Sequence, residues 1–229
     1  MALTRRESLI AMGAMGAALV APAMGKMARR LLTRGAQVPT GTYKVYYWAA
    51  GSRFLGRLPG ILAILEHAGA DYELVDNKQW NGPPIFACPI VETPAGAAVS
   101  QSAAIMATLG AELGLAPSEP AAAARALQMS CDAVDFLDQG FKFSFDEPAR
   151  AQKWMAHLDA LVKEDQPLHY AHFQLWQAVF LLTQHHGGTL PGGISDDVAA
   201  WVAKMEALKG CKAVLEINKK IPTAPPGGV

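Results

Sequence analysis

The sequence lacks the cysteine spacing, the excess of charge and the long apolar runs that mark several common protein classes. Its 229 residues include three cysteines, Cys88, Cys131 and Cys211, with no Cys-x-x-Cys pair and no ligand-like spacing to histidine. This pattern disfavours a disulfide framework and a zinc site. Basic and acidic residues number 20 each, so the chain has no net positive charge with which to bind nucleic acid.

Charge is nevertheless uneven along the chain, and the basic end has the features of a targeting leader. Residues 1–34 contain six basic residues and one acidic residue, a formal charge of +5, which leaves −5 for the rest. Within residues 1–40, Arg5-Arg6 precedes the apolar run LIAMGAMGAALVA, which is too short for a membrane span, and Ala21-Pro22-Ala23 offers a cleavage point. The segment resembles a twin-arginine leader followed by a linker, and it predicts export to the thylakoid lumen or periplasm. A mitochondrial presequence, an uncleaved anchor and a cytoplasmic location are the alternatives.

Residues 41–115 have the pattern of a small α/β domain. The run YKVYYW from Tyr43 is of strand type, and apolar residues between positions 58 and 65 recur at helical spacing. YELV predicts a second strand, and PIVE and AAVS predict two more about a short turn. A helix follows from about Gln101 to Leu113. The strand–helix–strand unit favours a parallel pair, to which the hairpin adds antiparallel strands.

Residues 121–217 have only helical patterns, so the predicted fold class is α/β plus all-α. Apolar stripes, which include Cys131 and Cys211 as expected core residues, cover roughly residues 121–140, 147–164, 167–186 and 195–209. The Pro-, Ser- and Ala-rich segment 116–124 predicts a linker between two domains, and residues 218–229 predict a loose tail.

The stretch ACPIVETPAGAAVSQSAAIM, residues 87–106, is the most specific part of the first domain. Proline cannot donate to a sheet ladder, and a cis bond between Cys88 and Pro89 would explain its place by turning the preceding backbone outward, toward a ligand. Gln101 and Ser102 begin a helix, where free N–H groups attract a carboxylate. An edge proline and a capping serine are the alternative, and for an isolated junction they are the commoner explanation.

This junction, within this order of elements, resembles the soluble glutathione transferases. The resemblance spans about Tyr43 to Ile217, and its specific parts are CPIV for the cis-proline before the third strand and QSAAI for the following helix start. It implies a thioredoxin-like first domain and a C-terminal helical bundle. The strand YKVYYW matches the tyrosine-type pattern, nearest to the sigma-like classes. Glutathione is then the substrate, and no cofactor is expected.

The resemblance also implies a set of site residues. Tyr47, which ends the first strand, would donate a hydrogen bond to the glutathione sulfur and favour the thiolate without losing its own proton. Ser52, placed where serine-type classes have their hydroxyl, is the alternative. The backbone at the residue before the cis-proline would pair with the tripeptide like an added strand. The residues implied in glutathione binding are Arg53, Trp80, Cys88, Pro89, Gln101 and Ser102.

The loop before Pro89 departs from the family pattern. A Trp and a Lys usually hold the glycyl carboxylate there, but only nine positions separate Trp80 from Pro89 and no lysine lies between them. Lys78 would have to substitute, or the binding of the glycyl end is incomplete.

A second departure is the segment QPLHYAHFQLW at the start of a helix in the second domain. His169 and His172 occupy the positions of the family's hydroxyl cap and its reciprocal acid, a predicted loss of roughly 1 kcal/mol or more. No carboxylate or cysteine spacing accompanies these histidines or the pair His185-His186, and we expect no metal site.

Two functions are compatible with these patterns. The first is an enzyme that activates glutathione for attack on small hydrophobic electrophiles or peroxides, with an acceptor pocket near Trp176 and Phe136. By resemblance it would be a homodimer that pairs the first domain of one chain with the helices of the other. The second is a catalytically silent binding or structural subunit, associated with a membrane complex if the leader is retained.

Overall fold

The computed structural model describes residues 39–142, 147–164, 166–190 and 192–221. The predicted leader lies almost wholly outside these residues, as does most of the predicted tail. The described part of the chain forms four strands and seven α-helices: β1 Thr42–Tyr47, α1 Pro59–Ala68, β2 Asp71–Asp76, β3 Ile90–Glu92, β4 Ala98–Ser100, α2 Ser102–Glu112, α3 Pro120–Lys142, α4 Pro148–Lys163, α5 Tyr170–His185, α6 Asp196–Ala207 and α7 Lys209–Asn218.

The four strands form one mixed sheet in the order β2-β1-β3-β4. β1 pairs with β2 in parallel, and α1 is the crossover between them. β3 runs antiparallel to both β1 and β4. α1 ends where Gly69 adopts a left-handed conformation (φ 74°), which glycine reaches without a steric cost. The prediction of a parallel pair extended by an antiparallel hairpin is confirmed.

The two faces of β1 pack in different directions, as the alternation of side chains along a strand requires. Tyr43, Val45 and Tyr47 belong to the main core, which continues through α1 into the helical domain. Tyr46 lies on the other face in a small cluster with Val75. Tyr46 and Tyr47 therefore face opposite sides of the sheet.

α1 connects the sheet to the helical domain. It packs against α5 and α7, and Gly60 allows a close approach, since a Cβ there would lie 3.0 Å from the carbonyl oxygen of Phe173. The N–H of Gly60 donates to Oε1 of Gln177, 2.9 Å away and buried. This contact fixes the first turn of α1, and hence the segment that precedes it, against the central helix α5.

The start of α5 differs from the expectation that its capping bonds are lost. His169 is the N-cap, and its backbone N–H donates to Nδ1 of His172 at 3.1 Å. Histidine thus takes the part of the reciprocal acid, because its neutral ring nitrogen accepts a hydrogen bond as a carboxylate does. A hydrogen bond of 2.9 Å joins Nε2 of His169 to Oε1 of Gln166. The predicted loss is therefore wrong for the reciprocal group, while the His169 side chain itself forms no capping bond to α5.

Other sequence-based expectations for the helical domain also need correction. α3 begins at Pro120, inside the predicted linker. The helix predicted over 195–209 is α6, and α7, at Lys209–Asn218, is a further helix that the four predicted ranges did not include. Cys211 is buried as expected, but Cys131 is exposed. Phe136 and Trp176 are fully buried and form the core rather than an open pocket.

No helix within the described ranges is long and apolar enough to cross a membrane.

Candidate active site

The register of the sheet brings the predicted site residues to one edge. Tyr46 pairs with Ile90, so Tyr47 lies beside Pro89 at the end of β1. Ile90 in turn pairs with Ser100, which places Gln101 next to Pro89 on the other side. The end of β1, the segment before β3 and the start of α2 therefore meet, although up to 54 positions separate them in the sequence.

Tyr47 is a buried polar group at this edge of the sheet, and its hydroxyl has a definite hydrogen-bond partner. Its side chain is only 4% exposed, and the ring of Phe54 packs edge-on against it at 5.8 Å between centroids. The hydroxyl oxygen accepts a hydrogen bond from the backbone N–H of Arg57 at 2.9 Å. Burial raises the pKa of this hydroxyl above 10, and the Arg57 N–H partly opposes the shift. Tyr47 is therefore protonated at neutral pH and retains an O–H to donate.

Ser52 has a different environment. It follows the short 3-10 turn Trp48–Gly51, it is exposed, and its hydroxyl donates to the carbonyl of Ala49 at 2.8 Å. Because a serine has one proton to give, this bond competes with donation to a ligand. In the same turn Ala49 and Ala50 have left-handed conformations, with φ of 46° and 51°, which cost on the order of 1–3 kcal/mol per non-glycine residue.

The peptide bond between Cys88 and Pro89 is cis, as the sequence pattern predicted. Cys88 itself is half-buried and packs against the main core. Burial raises the pKa of its thiol above the usual range, against an opposing backbone N–H of Trp48. A protonated thiol is a poor nucleophile, so Cys88 would contribute to a site through its backbone rather than through its sulfur.

The start of α2 has the features of an anion site. Gln101 is the N-cap and has a left-handed conformation (φ 73°), unusual for a non-glycine residue. Ser102 is the first helical residue and is 6% exposed. The first N–H groups of a helix have no partner within the helix, and its dipole favours a negative charge there. Ser102 thus lies within the helix, and it is not the N-cap serine that the alternative interpretation of this junction assumes.

An open cavity of about 390 Å³ adjoins the end of β1. Arg53, Lys78 and Asp76 line it, so two cations from different segments and one carboxylate lie at one recess. Trp80 lies elsewhere, with its ring edge-on to Tyr46 at 5.1 Å, on the sheet face opposite Tyr47. Its indole N–H donates to the carbonyl of Pro83 at 3.0 Å. The structure therefore brings Lys78, rather than Trp80, together with Arg53.

Sequence reasoning missed two residues close to Tyr47. The backbone N–H of Arg57 donates to the Tyr47 hydroxyl, and its side chain forms an ion pair with Asp138 of α3. Asp138 is 81 positions away, and no local pattern indicates such a contact. The one available signal was the position of Arg57 just before the Leu58-Pro59 start of α1.

Within the described ranges, no group of three or more His, Cys, Asp or Glu side chains is placed to hold a metal ion.

No protein-family model and no curated protein sequence matches the chain. Solved structures match it well. Prostaglandin synthase D of Nilaparvata lugens is 20% identical over 78% of this chain and 99% of its own, with a TM-score of 0.62. The monomeric glutathione S-transferase Na-GST-3 of Necator americanus is 18% identical over 77% and 97%, with a TM-score of 0.59. A glutathione transferase homolog from Burkholderia with bound glutathione is 14% identical over 78% and 98%, with a TM-score of 0.57.

Each match includes nearly the whole length of the solved structure and extends across both domains of the described chain. The likeness includes the small mixed sheet and the helices that follow it, which confirms a thioredoxin-like domain followed by a helical bundle. At this level of identity the comparison concerns architecture. The chain has the fold of the glutathione S-transferases.

Proposed function

We propose that the protein is a glutathione transferase that activates the glutathione thiol for attack on small hydrophobic electrophiles or peroxides. The proposal rests on one observation above all. A protonated tyrosine hydroxyl, held by a backbone N–H, lies at the sheet edge beside a cis-proline in the glutathione S-transferase fold. Tyr47 is the proposed catalytic residue.

Tyr47 would act by donating one hydrogen bond to the glutathione sulfur. A free thiol with a pKa of about 8.5 is mostly protonated at neutral pH. A hydrogen bond donated by Tyr47 to the sulfur stabilises the thiolate, so the thiol proton leaves to solvent while the tyrosine keeps its own. The thiolate then forms a bond to the electrophilic carbon or peroxide oxygen, and the leaving group departs with the electron pair. Ser52 is the less suited donor, since its proton is already engaged by Ala49.

The same edge supports a position for the tripeptide. The backbone of Cys88, next to the cis bond, would pair with the cysteinyl part, and Gln101 and Ser102 at the start of α2 would bind the γ-glutamyl carboxylate. Arg53 and Lys78 line the adjacent recess and would attract the glycyl carboxylate. Trp80 would support this recess through the loop that it stabilises with Pro83.

We also propose a homodimer that joins the first domain of one chain to the helices of another. Phe86, just before the Cys88-Pro89 bond, is 95% exposed. Burial of an exposed phenylalanine against a second copy would remove substantial apolar surface from water. Light scattering at micromolar concentration tests the assembly, and a fully active monomer would contradict it.

A catalytically silent binding subunit of the same fold is a second candidate, and the geometry of Trp80 favours it. Its indole N–H is bonded within the loop, so one expected donor to the glycyl carboxylate is not directed outward. Retention on immobilised glutathione and conjugation of a general aryl halide separate the two candidates. The enzyme should be retained and should turn over the acceptor. Retention without turnover would support the silent subunit, and loss of both would contradict glutathione as the ligand.

A further inference from the structure

The hydroxyl of Tyr47 is oriented by the segment that precedes α1. The Arg57 N–H donates to the phenolic oxygen at 2.9 Å, and Gly56 makes this approach possible, because a Cβ there would lie 2.0 Å from that oxygen. A phenol has one proton and two acceptor sites. With one acceptor site occupied from this side, the O–H proton is directed away from Arg57. The position of the Arg57 N–H therefore determines where Tyr47 can donate.

Arg57 lies in an irregular segment in which the side chains of Leu55 and Leu58 are buried in the core and its own is not. Residues 52–58 connect a 3-10 turn to α1, and their regular backbone bonds include those of Ser52 to Ala49 and of Leu58 to Leu55. The guanidinium of Arg57, in contrast, leaves the first domain and pairs with the carboxylate of Asp138 on α3. The two side chains are 31% and 32% exposed, so water screens the pair only partly.

Asp138 is fixed by the packing of its helix. Its neighbour Leu137 is 1% exposed, and two residues later Gly140 meets α5 so closely that a Cβ would lie 2.3 Å from Cδ2 of Leu182. α3 cannot shift along α5 at this point without a clash or a void. The packing of α3 therefore fixes the backbone that carries Asp138, and the guanidinium of Arg57 is held by the carboxylate at this point.

We infer that Asp138 is a positioning residue for Tyr47: through its ion pair it holds Arg57, and with it the backbone N–H that orients the Tyr47 hydroxyl. The consequence for catalysis rests on the proposed function, because an oriented donor affects turnover only if a thiol binds beside it. The link from Asp138 to the Arg57 N–H is a property of the protein without ligand. If Asp138 instead acted only as a negative charge near the site, its removal would lower the pKa of the bound thiol.

The test compares Asp138→Asn with Asp138→Glu, which keeps the carboxylate, and with Asp159→Asn. The last variant removes an aspartate that also forms an ion pair in the helical domain, to Lys163, but contacts no part of the Tyr47 site. Hydrogen exchange of the Arg57 amide, and the resonance of Tyr47 labelled with ¹³C at Cζ and assigned with Tyr47→Phe, are measured without glutathione. The ultraviolet absorbance of the thiolate against pH then gives the pKa of bound glutathione.

Asp138→Asn should exchange the Arg57 amide about tenfold faster or more, move the Tyr47 resonance and raise the pKa of the bound thiol. Turnover should fall about tenfold while KM for glutathione changes little, as expected when only the orientation of a donor is lost. In Asp138→Glu, the exchange rate, the Tyr47 resonance, the thiol pKa and the turnover should stay close to their wild-type values. In Asp159→Asn they should equal the wild-type values.

Unchanged exchange at Arg57 in Asp138→Asn would overturn the inference, whatever the protein does with glutathione. A lower pKa of the bound thiol would also overturn it, since loss of a bare negative charge favours a nearby thiolate. Failure of the wild type to bind glutathione would overturn the proposed function alone, and the Arg57 exchange measured on the same samples would still decide the positioning role.

Discussion

The end of β1 and the start of α5 both place polar groups in a mostly apolar surrounding, but the hydrogen bonds of these groups differ. At the end of β1, the Tyr47 hydroxyl accepts a bond from Arg57 and donates none to the described chain, and the next residue, Trp48, lines an open recess. Nearby backbone has left-handed conformations at Ala49 and Ala50. At the start of α5, His169 and His172 are 3% and 8% exposed and form their hydrogen bonds with the chain itself. The first arrangement suits ligand chemistry and the second suits stability.

The comparison predicts that removing the Tyr47 hydroxyl affects turnover far more than any change at α5. Tyr47→Phe should lower kcat by about 10²–10³-fold, the usual effect of losing one donor to a developing anion. The affinity for glutathione should change much less, because the bond is strongest with the thiolate. Steady-state kinetics with an aryl halide acceptor measures both effects.

Tyr46→Phe is the matched control. It also removes a tyrosine hydroxyl from β1, one bonded to Glu92 at 3.0 Å, but on the opposite face of the sheet. It should leave kcat near the wild-type value, and Ser52→Ala should do the same. If Ser52→Ala proved the more damaging change, Tyr47 would be the wrong assignment and the protein would belong with the serine-type enzymes.

The histidine cap of α5 should make the helical domain sensitive to acid. Burial, reinforced by the neighbouring His172, lowers the pKa of His169 to about 4. Burial also lowers the pKa of His172, against the opposing effects of its bond to the His169 backbone and of Glu164. The unfolded chain, with histidine pKa values near 6.5, therefore binds more protons between about pH 6.5 and pH 4. The free energy of unfolding should fall by roughly 3 kcal/mol for His169 across this window, and this group should contribute no further loss below it.

Urea unfolding at intervals from pH 7 to pH 4 measures this dependence. The double variant His169→Ser/His172→Gln builds a capping box with no titrating group. It should retain its stability at pH 7 and lose much less of it by pH 4. An equal loss in the variant and the wild type would show that the acid sensitivity comes from groups other than these two histidines.

Local patterns were sufficient to predict one of these two regions and not the other. The strand–helix–strand unit, the cis bond at Pro89 and the start of α2 at Ser102 follow from neighbouring residues. The helix α7 does not, because its place depends on packing: Gly210 meets α1 so closely that a Cβ there would lie 1.9 Å from the carbonyl of Ala63. The Arg57–Asp138 pair and the bond between His169 and His172 likewise depend on contacts that residue types alone do not specify.

Ser102→Ala tests the ligand side of the comparison at a helix start. The Ser102 hydroxyl is proposed to bind a carboxylate, and a hydrogen bond to a charged group contributes about 1.5–3 kcal/mol. The dissociation constant for glutathione should therefore rise by about 10- to 100-fold in calorimetry. The free energy of unfolding should stay within about 0.5 kcal/mol of the wild type, since Ser102 is not the cap of α2. An unchanged dissociation constant would remove Ser102 from the site.

Ser195→Ala should show the reverse pattern and the smallest effect. Ser195 is the N-cap of α6, and its hydroxyl oxygen accepts from the N–H of Val198 at 3.2 Å. Loss of a capping hydroxyl costs about 1 kcal/mol, which urea unfolding resolves, and Ser195→Thr should recover most of it. Glutathione affinity should not change, because α6 contributes no residue to the site. If Ser195→Ala weakened glutathione binding as much as Ser102→Ala, the two serines would both act through stability, and the distinction between a ligand-binding and a structural helix start would fail.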